Sequence, residues 1–271
     1  MADVKEEFYR RNITKFFKDK SASILVCGAG TFDMQVFKAE GFTNVTISNL
    51  DTRMDANQYA PYKWAFEDAA ALSFPDNSFD YVAIHAAIHH ASSPHRVLTE
   101  MYRVAKKGVF AIESSDSFVM RIFERYGLTQ VYEHAAVYYN DGKFGGVNNT
   151  DVPNFVYRWT EREIEKTINV YAPYARHDFT YVYEMTLPVT SQMEKNGMFK
   201  YIFLKIAQPF FWVLTRIFKR QQNLFGFYIA KPNLPQAMFP WLKLDASGNP
   251  KFDMEWGDKR YMKEKPEMKQ R

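Results

Sequence analysis

The stretch SILVCGAGTFDMQVF, residues 23–37, carries an apolar run through Gly28-Ala29-Gly30 into a segment with helical spacing. A strand-to-helix turn of this kind lets the backbone come close to a ligand, because neither glycine has a Cβ to obstruct the approach. A dinucleotide-binding turn would place a third glycine at position 33, and this chain has Asp33 there, which counts against NAD and FAD. Asp51 closes a second run about twenty residues further on, where a carboxylate can accept both hydroxyls of an adenosine ribose. The glycine pair alone also fits a purely structural turn, and Asp51 alone a turn or a cap; together they point to an adenosine-bearing ligand.

These residues need elements that bring two loop ends to one place. Residues 4–18 read as an amphipathic helix with Phe8, Ile13, Phe16 and Phe17 on one side, and residues 23–27 as a short apolar strand. The spacing predicts a helix over 31–40, ended by Gly41 as a left-handed cap. Strands follow at 44–50 and, after the turn PDNS, at 79–85. A helix is predicted at 93–104 and a strand at 108–113. Strands alternating with helices indicate a doubly wound, mostly parallel sheet. Past Glu113 the rhythm loosens: a helix at 118–126, a polar glycine-rich loop at 140–151, a helix opened by the capping box Thr160–Glu163, and two late strands, HDFTYVYEM and LFGFYIAKP. The end of the chain after Asp245 reads as a polar surface tail.

The segment 66–108 supplies Asp68-Ala69, Leu72, Phe74-Pro75, Asp76, Ser78-Phe79-Asp80, His89-His90, and Leu98-Thr99-Glu100 to Arg103-Val104. With the glycine turn, this set resembles the class I S-adenosylmethionine-dependent methyltransferases, in particular their methyltransferase type 11-like branch acting on small molecules and sugars. The resemblance covers about residues 20–115 and fades to an outline beyond Glu113. It implies a seven-stranded, Rossmann-like sheet whose final strand is antiparallel. It further implies that Gly28, Ala29 and Gly30 line the amino-acid end of the cofactor and that Asp51 holds the ribose. Asp68 would accept from the adenine amine, the Ala69 amide would meet the ring, and His85 would lie near the sulfonium. Two positions depart from the family pattern: Val26 stands where an acid is usual, and Phe32 where a third glycine is common.

Methyl transfer from a sulfonium asks chiefly for an acceptor placed in line with the leaving group. A hydroxyl acceptor also needs a base of near-neutral pKa, which histidine supplies, typically for about 10²–10⁴-fold in rate. His90, and after it His89, follow the fourth strand at the mouth of the sheet; His134 beside Glu133 is the alternative if the segment after Glu113 folds over the site. Glu113 and Asp116, just past the fifth strand, stand where an acceptor can be oriented. No Asn/Asp-Pro-Pro-aromatic stretch follows the fourth strand, so a nucleobase in nucleic acid is not the expected acceptor.

One cysteine, Cys27, excludes an internal disulfide and any zinc site built on several thiolates, and no metal is expected. The first residues, MADVKEEFYRRN, are charged and do not read as a secretory signal, so a cytoplasmic protein is the expectation. Residues 195–244 carry eight cations and no Asp or Glu, leaving −4 for the rest of a chain whose net charge is +4. Within them, Phe199, Ile202/Phe203, Ile206, Phe210, Val213/Leu214 and Ile217 recur at helical spacing, and Pro209 is expected to kink or divide the helix. Lys205, Pro209 and Arg216 make it a poor transmembrane span. Three roles are open to this insert, residues 191–222: a lid, a homodimer interface, or a helix seated in an anionic membrane surface, the last suiting a lipid-linked or phosphorylated acceptor.

The sequence thus predicts one α/β methyltransferase domain over 1–271: an N-terminal helix (1–20), a cofactor half (21–115), a substrate half (116–244) with the helical insert, and a surface tail (245–271). It predicts S-adenosylmethionine as cofactor, with S-adenosylhomocysteine as product, and methylation of a small molecule or saccharide at oxygen with histidine as base. The alternative is a cofactor-binding but non-catalytic protein, membrane-associated or regulatory.

Overall fold

The computed structural model describes residues 4–186 and 197–262. The predicted stretches 1–3, 191–196 and 263–271 of the first helix, the insert and the tail lie outside the described residues.

Seven strands form one sheet in the order β3-β2-β1-β4-β5-β7-β6. They are β1 (Ile24–Cys27), β2 (Val45–Asn49), β3 (Lys63–Phe66), β4 (Phe79–His85), β5 (Ala105–Ser114), β6 (Asp178–Glu184) and β7 (Leu224–Ala230). The first five run parallel, while β7 is antiparallel to both β5 and β6. β3 was not read from the sequence. Its KWAF run is short, and the pattern of half-buried residues that marks it as an edge strand is set by pairing with β2.

Strand side chains alternate between two cores. On one face Leu25, Cys27, Val82 and Ile84 pack against α3 (Pro94–Val104) and α6 (Glu161–Tyr171), with Trp159 wholly buried. On the other, Ile24, Val26 and Ala83 pack against α1 (Val4–Phe16) and α2 (Thr31–Ala39), through Phe8, Tyr9, Ile13 and Phe37. Both faces of β1 are buried, which its uninterrupted ILVC run requires. The capping box at α6 is present: Thr160 Oγ1 accepts from the Glu163 amide, and Glu163 accepts from the Thr160 amide.

The remaining helices are α4 (Phe118–Arg125), α5 (His134–Tyr138), α7 (Met198–Ile217) and α8 (Met254–Tyr261). α7 runs unbroken through Pro209, so that residue does not divide the helix. The ring removes one amide donor, and a helix of 20 residues keeps the hydrogen bonds on either side of that gap. The tail is also more ordered than its polarity suggests. Strands β8 (Leu242–Leu244) and β9 (Pro250–Phe252) pair as a hairpin, and α8 sets Trp256 against Trp241, with ring centroids 5.9 Å apart.

α7 docks on α4 through Phe211 and Leu214, which pack on a small cluster of Val119, Met120, Phe123 and Leu128. Of the stripe at helical spacing, Leu214 packs inward, while Phe199, Ile202, Phe203, Ile206, Phe210, Val213 and Ile217 turn outward and are exposed, from 46% to 92%.

Candidate active site

The carboxyl ends of β1 to β4 open onto a cavity of about 260 Å³, just under the usual range of about 300–1,000 Å³ for ligand pockets. Gly28 forms its floor in a left-handed conformation, φ 58°, and a Cβ there would come within 2.7 Å of the Ala87 Cβ. Both the turn and the packing therefore require glycine. Gly30 differs, since a Cβ on it would meet nothing within 4 Å. Ala29 is buried beneath the turn; its amide donates to Ser48 O (2.9 Å) and its carbonyl accepts from Asn49 Nδ2 (3.0 Å), tying the tips of β1 and β2 together. It contributes backbone ties and no cavity wall.

Asp51 and Asp68 both line the cavity. Asp68 Oδ1 accepts the Ala70 amide at 2.8 Å, which fixes the turn after β3. Asp51 is engaged by Arg53, whose Nη2 donates to Oδ2 at 2.6 Å and whose Nε donates to Oδ1 at 2.9 Å. These hydrogen bonds hold the Asp51 carboxyl below the ordinary aspartate range. The same guanidinium donates to Asn140 Oδ1 (2.9 Å) and sits 4.2 Å over the Phe144 ring. The loop 140–149, which supplies one wall of the cavity, is thereby fastened to the tip of β2.

His85 corrects the expectation of a residue beside the sulfonium. As the last residue of β4 it follows the alternation Ala83–Ile84–His85 to the α1 face, where its ring stacks on Tyr9 at 4.7 Å and lies 5.4 Å from Phe32. It does not line the cavity. Ala86 then adopts φ 49°, a left-handed conformation uncommon for alanine, and the chain turns into the segment Ile88–His90.

That turn separates the two histidines. His90 lines the cavity, whereas His89 is buried, its Nδ1 2.6 Å from Glu113 Oε2. Glu113 therefore does not face an acceptor: it is 2% exposed, and its other oxygen accepts the amides of Ala87 (2.9 Å) and Ile88 (2.7 Å). It positions the histidine turn. Glu133 Oε2 lies 3.4 Å from His89 Nε2 and 3.1 Å from His90 Nε2. Burial opposes a charge on His89, but Glu113 and Glu133 outweigh it and raise its pKa to about 10. The hydrogen bonds from His89 and His90 hold the Glu133 carboxyl well below the usual range.

Two further expectations are corrected. Asp116 is ion-paired with Arg121 at 2.9 Å and lines a separate crevice with Thr160 and Arg220. His134 is exposed at the start of α5, with the Tyr132 ring at 6.2 Å as its aromatic neighbour, and does not line the cavity. Its neighbour Glu133 is the residue that reaches the histidine pair. Sequence reasoning missed Glu133, Arg53, Asn49 and the loop 140–149; only the loop's glycine-rich, amide-rich composition hinted at a role.

Residues 25–112 match the family described as Methyltransferase domain. Within those residues the chain carries a methyltransferase domain. A ubiquinone/menaquinone biosynthesis C-methyltransferase UbiE of Ruegeria sp. is 34% identical over 90 residues, 30% of this chain and 36% of that protein. A demethylmenaquinone methyltransferase of Bacillus licheniformis is 30% identical over 125 residues, 42% and 51% of the two chains. The chain thus spans about a third to a half of the length of these curated relatives. Among solved structures, magnesium protoporphyrin IX methyltransferase from Synechocystis, with bound SAH, aligns with a TM-score of 0.47 at 11% identity, covering 84% of this chain and 82% of that one.

Methyltransferases of this family use S-adenosylmethionine, and the residues present fit its adenosine end. Two carboxylates, Asp51 and Asp68, face one cavity whose floor is a Cβ-free turn, and open space adjoins Gly30. The Arg53 guanidinium competes for the Asp51 oxygens, and the Asn149 side chain also reaches that carboxylate.

Proposed function

We propose that this methyltransferase transfers a methyl group from S-adenosylmethionine to a hydroxyl of a small molecule, with His90 taking the hydroxyl proton. The observation that carries the reading is His90 itself, which lines the cavity while its Nε2 lies 3.1 Å from Glu133. With Nε2–H donated to that carboxylate, the neutral ring has its lone pair on Nδ1, the form a general base needs. The cofactor, when bound, supplies a methyl group on a sulfonium that departs as a neutral thioether. Asp51, Asp68 and the Ala69 amide would hold the adenosine, and the turn at Gly28 and Gly30 the amino-acid end. His90 Nδ1 accepts the proton as the acceptor oxygen forms its new bond to carbon. Glu133 stabilises the imidazolium that results.

The relatives named for quinone-pathway C-methylation favour a second reading, in which the acceptor is a phenol and the ring carbon beside the oxygen is methylated. The same deprotonation by His90 would raise the nucleophilicity of that carbon. Incubation with S-adenosylmethionine and a panel of phenolic, saccharide and lipid-linked acceptors tests both, read as S-adenosylhomocysteine formed. His90→Ala should lower kcat about 10²–10⁴-fold with little change in affinity for S-adenosylhomocysteine. Unchanged turnover would remove His90 from this role. Binding without turnover on any acceptor would favour a non-catalytic protein.

The outward stripe of α7 supports a further part of this reading: contact with an anionic membrane surface. Burying a single large apolar side chain is worth about 1.5–3 kcal/mol, and seven of them on one helix face are left in water. Exposed Lys205, Arg216, Lys219 and Arg220 flank them in a region without acidic residues. No helix among the described residues is long and apolar enough to cross a membrane. An interfacial helix combines these features, with rings among the acyl chains and cations at the headgroups.

A further inference from the structure

We propose that His89, His90 and Glu133 form a binding site for a divalent transition-metal ion, with an open coordination position on the cofactor-side cavity. One ligand atom from each of the three residues can be chosen so that all lie within 4.8 Å of one another. Glu133 Oε2 stands 3.4 Å from His89 Nε2 and 3.1 Å from His90 Nε2. Ligand atoms about 2.0–2.1 Å from a tetrahedral ion are about 3.4 Å apart, so the set, now within 4.8 Å, would close by about 1.4 Å at most.

The surroundings are those of a metal-binding histidine. Such a ligand characteristically donates its other ring N–H to a carboxylate, which fixes the tautomer and the ring plane. His89 does so to Glu113 at 2.6 Å, and Glu113 is itself held by the amides of Ala87 and Ile88. The carboxylate ligand is steadied too: Asn154 Nδ2 reaches Glu133 Oε2 at 3.3 Å and His89 O at 3.3 Å. Asn154 is 2% exposed and its Oδ1 has no hydrogen-bond partner among the described residues. A buried acceptor left unmatched by the chain is rare, and a water on a bound ion would supply the missing donor.

Two imidazoles and one carboxylate select a borderline ion such as Zn²⁺ or Co²⁺ over Ca²⁺ or Mg²⁺, which prefer all-oxygen sets. Three protein ligands leave a position free, the pattern of reactive zinc sites and not of closed structural ones. Because His90 lines the cavity, the free position faces that cavity. For turnover the inference rests on the methyl transfer proposed above and reassigns His90 from base to ligand: a loaded site would bind the acceptor hydroxyl at the ion and lower its pKa, the proton passing to solvent water.

Calorimetric titration of the full chain with ZnCl₂, repeated with CoCl₂, tests the site without any turnover. One ion per chain is expected, with affinity at least tenfold lower in His90→Ala and in Glu133→Gln, and about 10–100-fold lower in Glu113→Gln. His90 and Glu133 are partly exposed, so both variants should fold, as circular dichroism would verify. Absence of binding to the wild type, or equal binding by His90→Ala and Glu133→Gln, overturns the proposal. The thermal shift with S-adenosylhomocysteine, taken on the same samples, tests the cofactor reading separately.

Discussion

The Arg53 guanidinium grips both oxygens of Asp51, at 2.6 and 2.9 Å, on the rim of the cavity that the cofactor would enter. An adenosine ribose must displace these hydrogen bonds or share the carboxylate with them. Arg53 is about half exposed, so the pair itself is worth about 0.2–1 kcal/mol. Arg53→Ala should then tighten S-adenosylhomocysteine binding about two- to fivefold, whereas Asp51→Asn should weaken it about tenfold or more. Isothermal titration of the two variants separates competition from assistance; weaker binding in Arg53→Ala would mean that the loop 140–149 needs its clasp.

The same pair predicts a pH dependence. Asp51 has a carboxyl pKa depressed in the folded state below its unfolded value of about 3.9. Its stabilisation is therefore complete above that value and is lost as the pH falls through the folded pKa. The difference in melting temperature between wild type and Arg53→Ala should be constant from pH 8 to about pH 5 and shrink toward zero below about pH 3. A difference that grows on acidification would contradict this sign.

The two glycines of the turn should respond differently to alanine. Gly28→Ala meets a positive φ and a contact of 2.7 Å with Ala87 Cβ, and should destabilise the fold by about 1–3 kcal/mol. Gly30→Ala has room for its methyl group and should leave the unfolding midpoint unchanged while lowering affinity for S-adenosylhomocysteine. Undiminished affinity in Gly30→Ala would place the cofactor's amino-acid end elsewhere.

Cys27 is buried in β1, and burial lifts its thiol pKa to about 12. At pH 8 about one thiol in ten thousand is ionised, so the native protein should resist iodoacetamide. In guanidinium chloride mass spectrometry should find one adduct per chain. Rapid labelling of the native protein would show that β1 opens.

If α7 seats in lipid, flotation should carry the protein with vesicles containing anionic phospholipid and not with neutral ones. Phe203→Glu with Ile206→Glu should abolish this without changing the melting temperature, since both side chains already face water at 57% and 75% exposure. A concentration-dependent dimer that these changes disrupt would assign the stripe to a second copy.

Much of the frame was legible because it is written locally. The alternation of apolar strands with capped helices, the Gly41 cap and the Thr160–Glu163 box each depend on residues within a few positions of one another, and all appear in the structure. Sheet order is a different matter, and the antiparallel last strand came from family resemblance. The short edge strand β3 escaped notice because partner pairing, not its own pattern, makes it a strand.

The site divides along the same line. The sequence by itself determined the glycine turn, the acid at the tip of β2 and a histidine pair after β4, all fixed by distance along the chain from a strand end, while Asp68 came from the family resemblance. Only the tertiary structure decided what those groups touch. Strand alternation and the left-handed Ala86 send His85 to Tyr9, His89 to Glu113 and His90 to the cavity. Glu133 joins the histidines from 43 residues beyond His90, and Arg53 claims Asp51 while reaching across to Asn140. Whether a carboxylate is a ligand, a support or half of an ion pair depends on long-range neighbours, and contacts between groups far apart in the chain leave no periodicity to read.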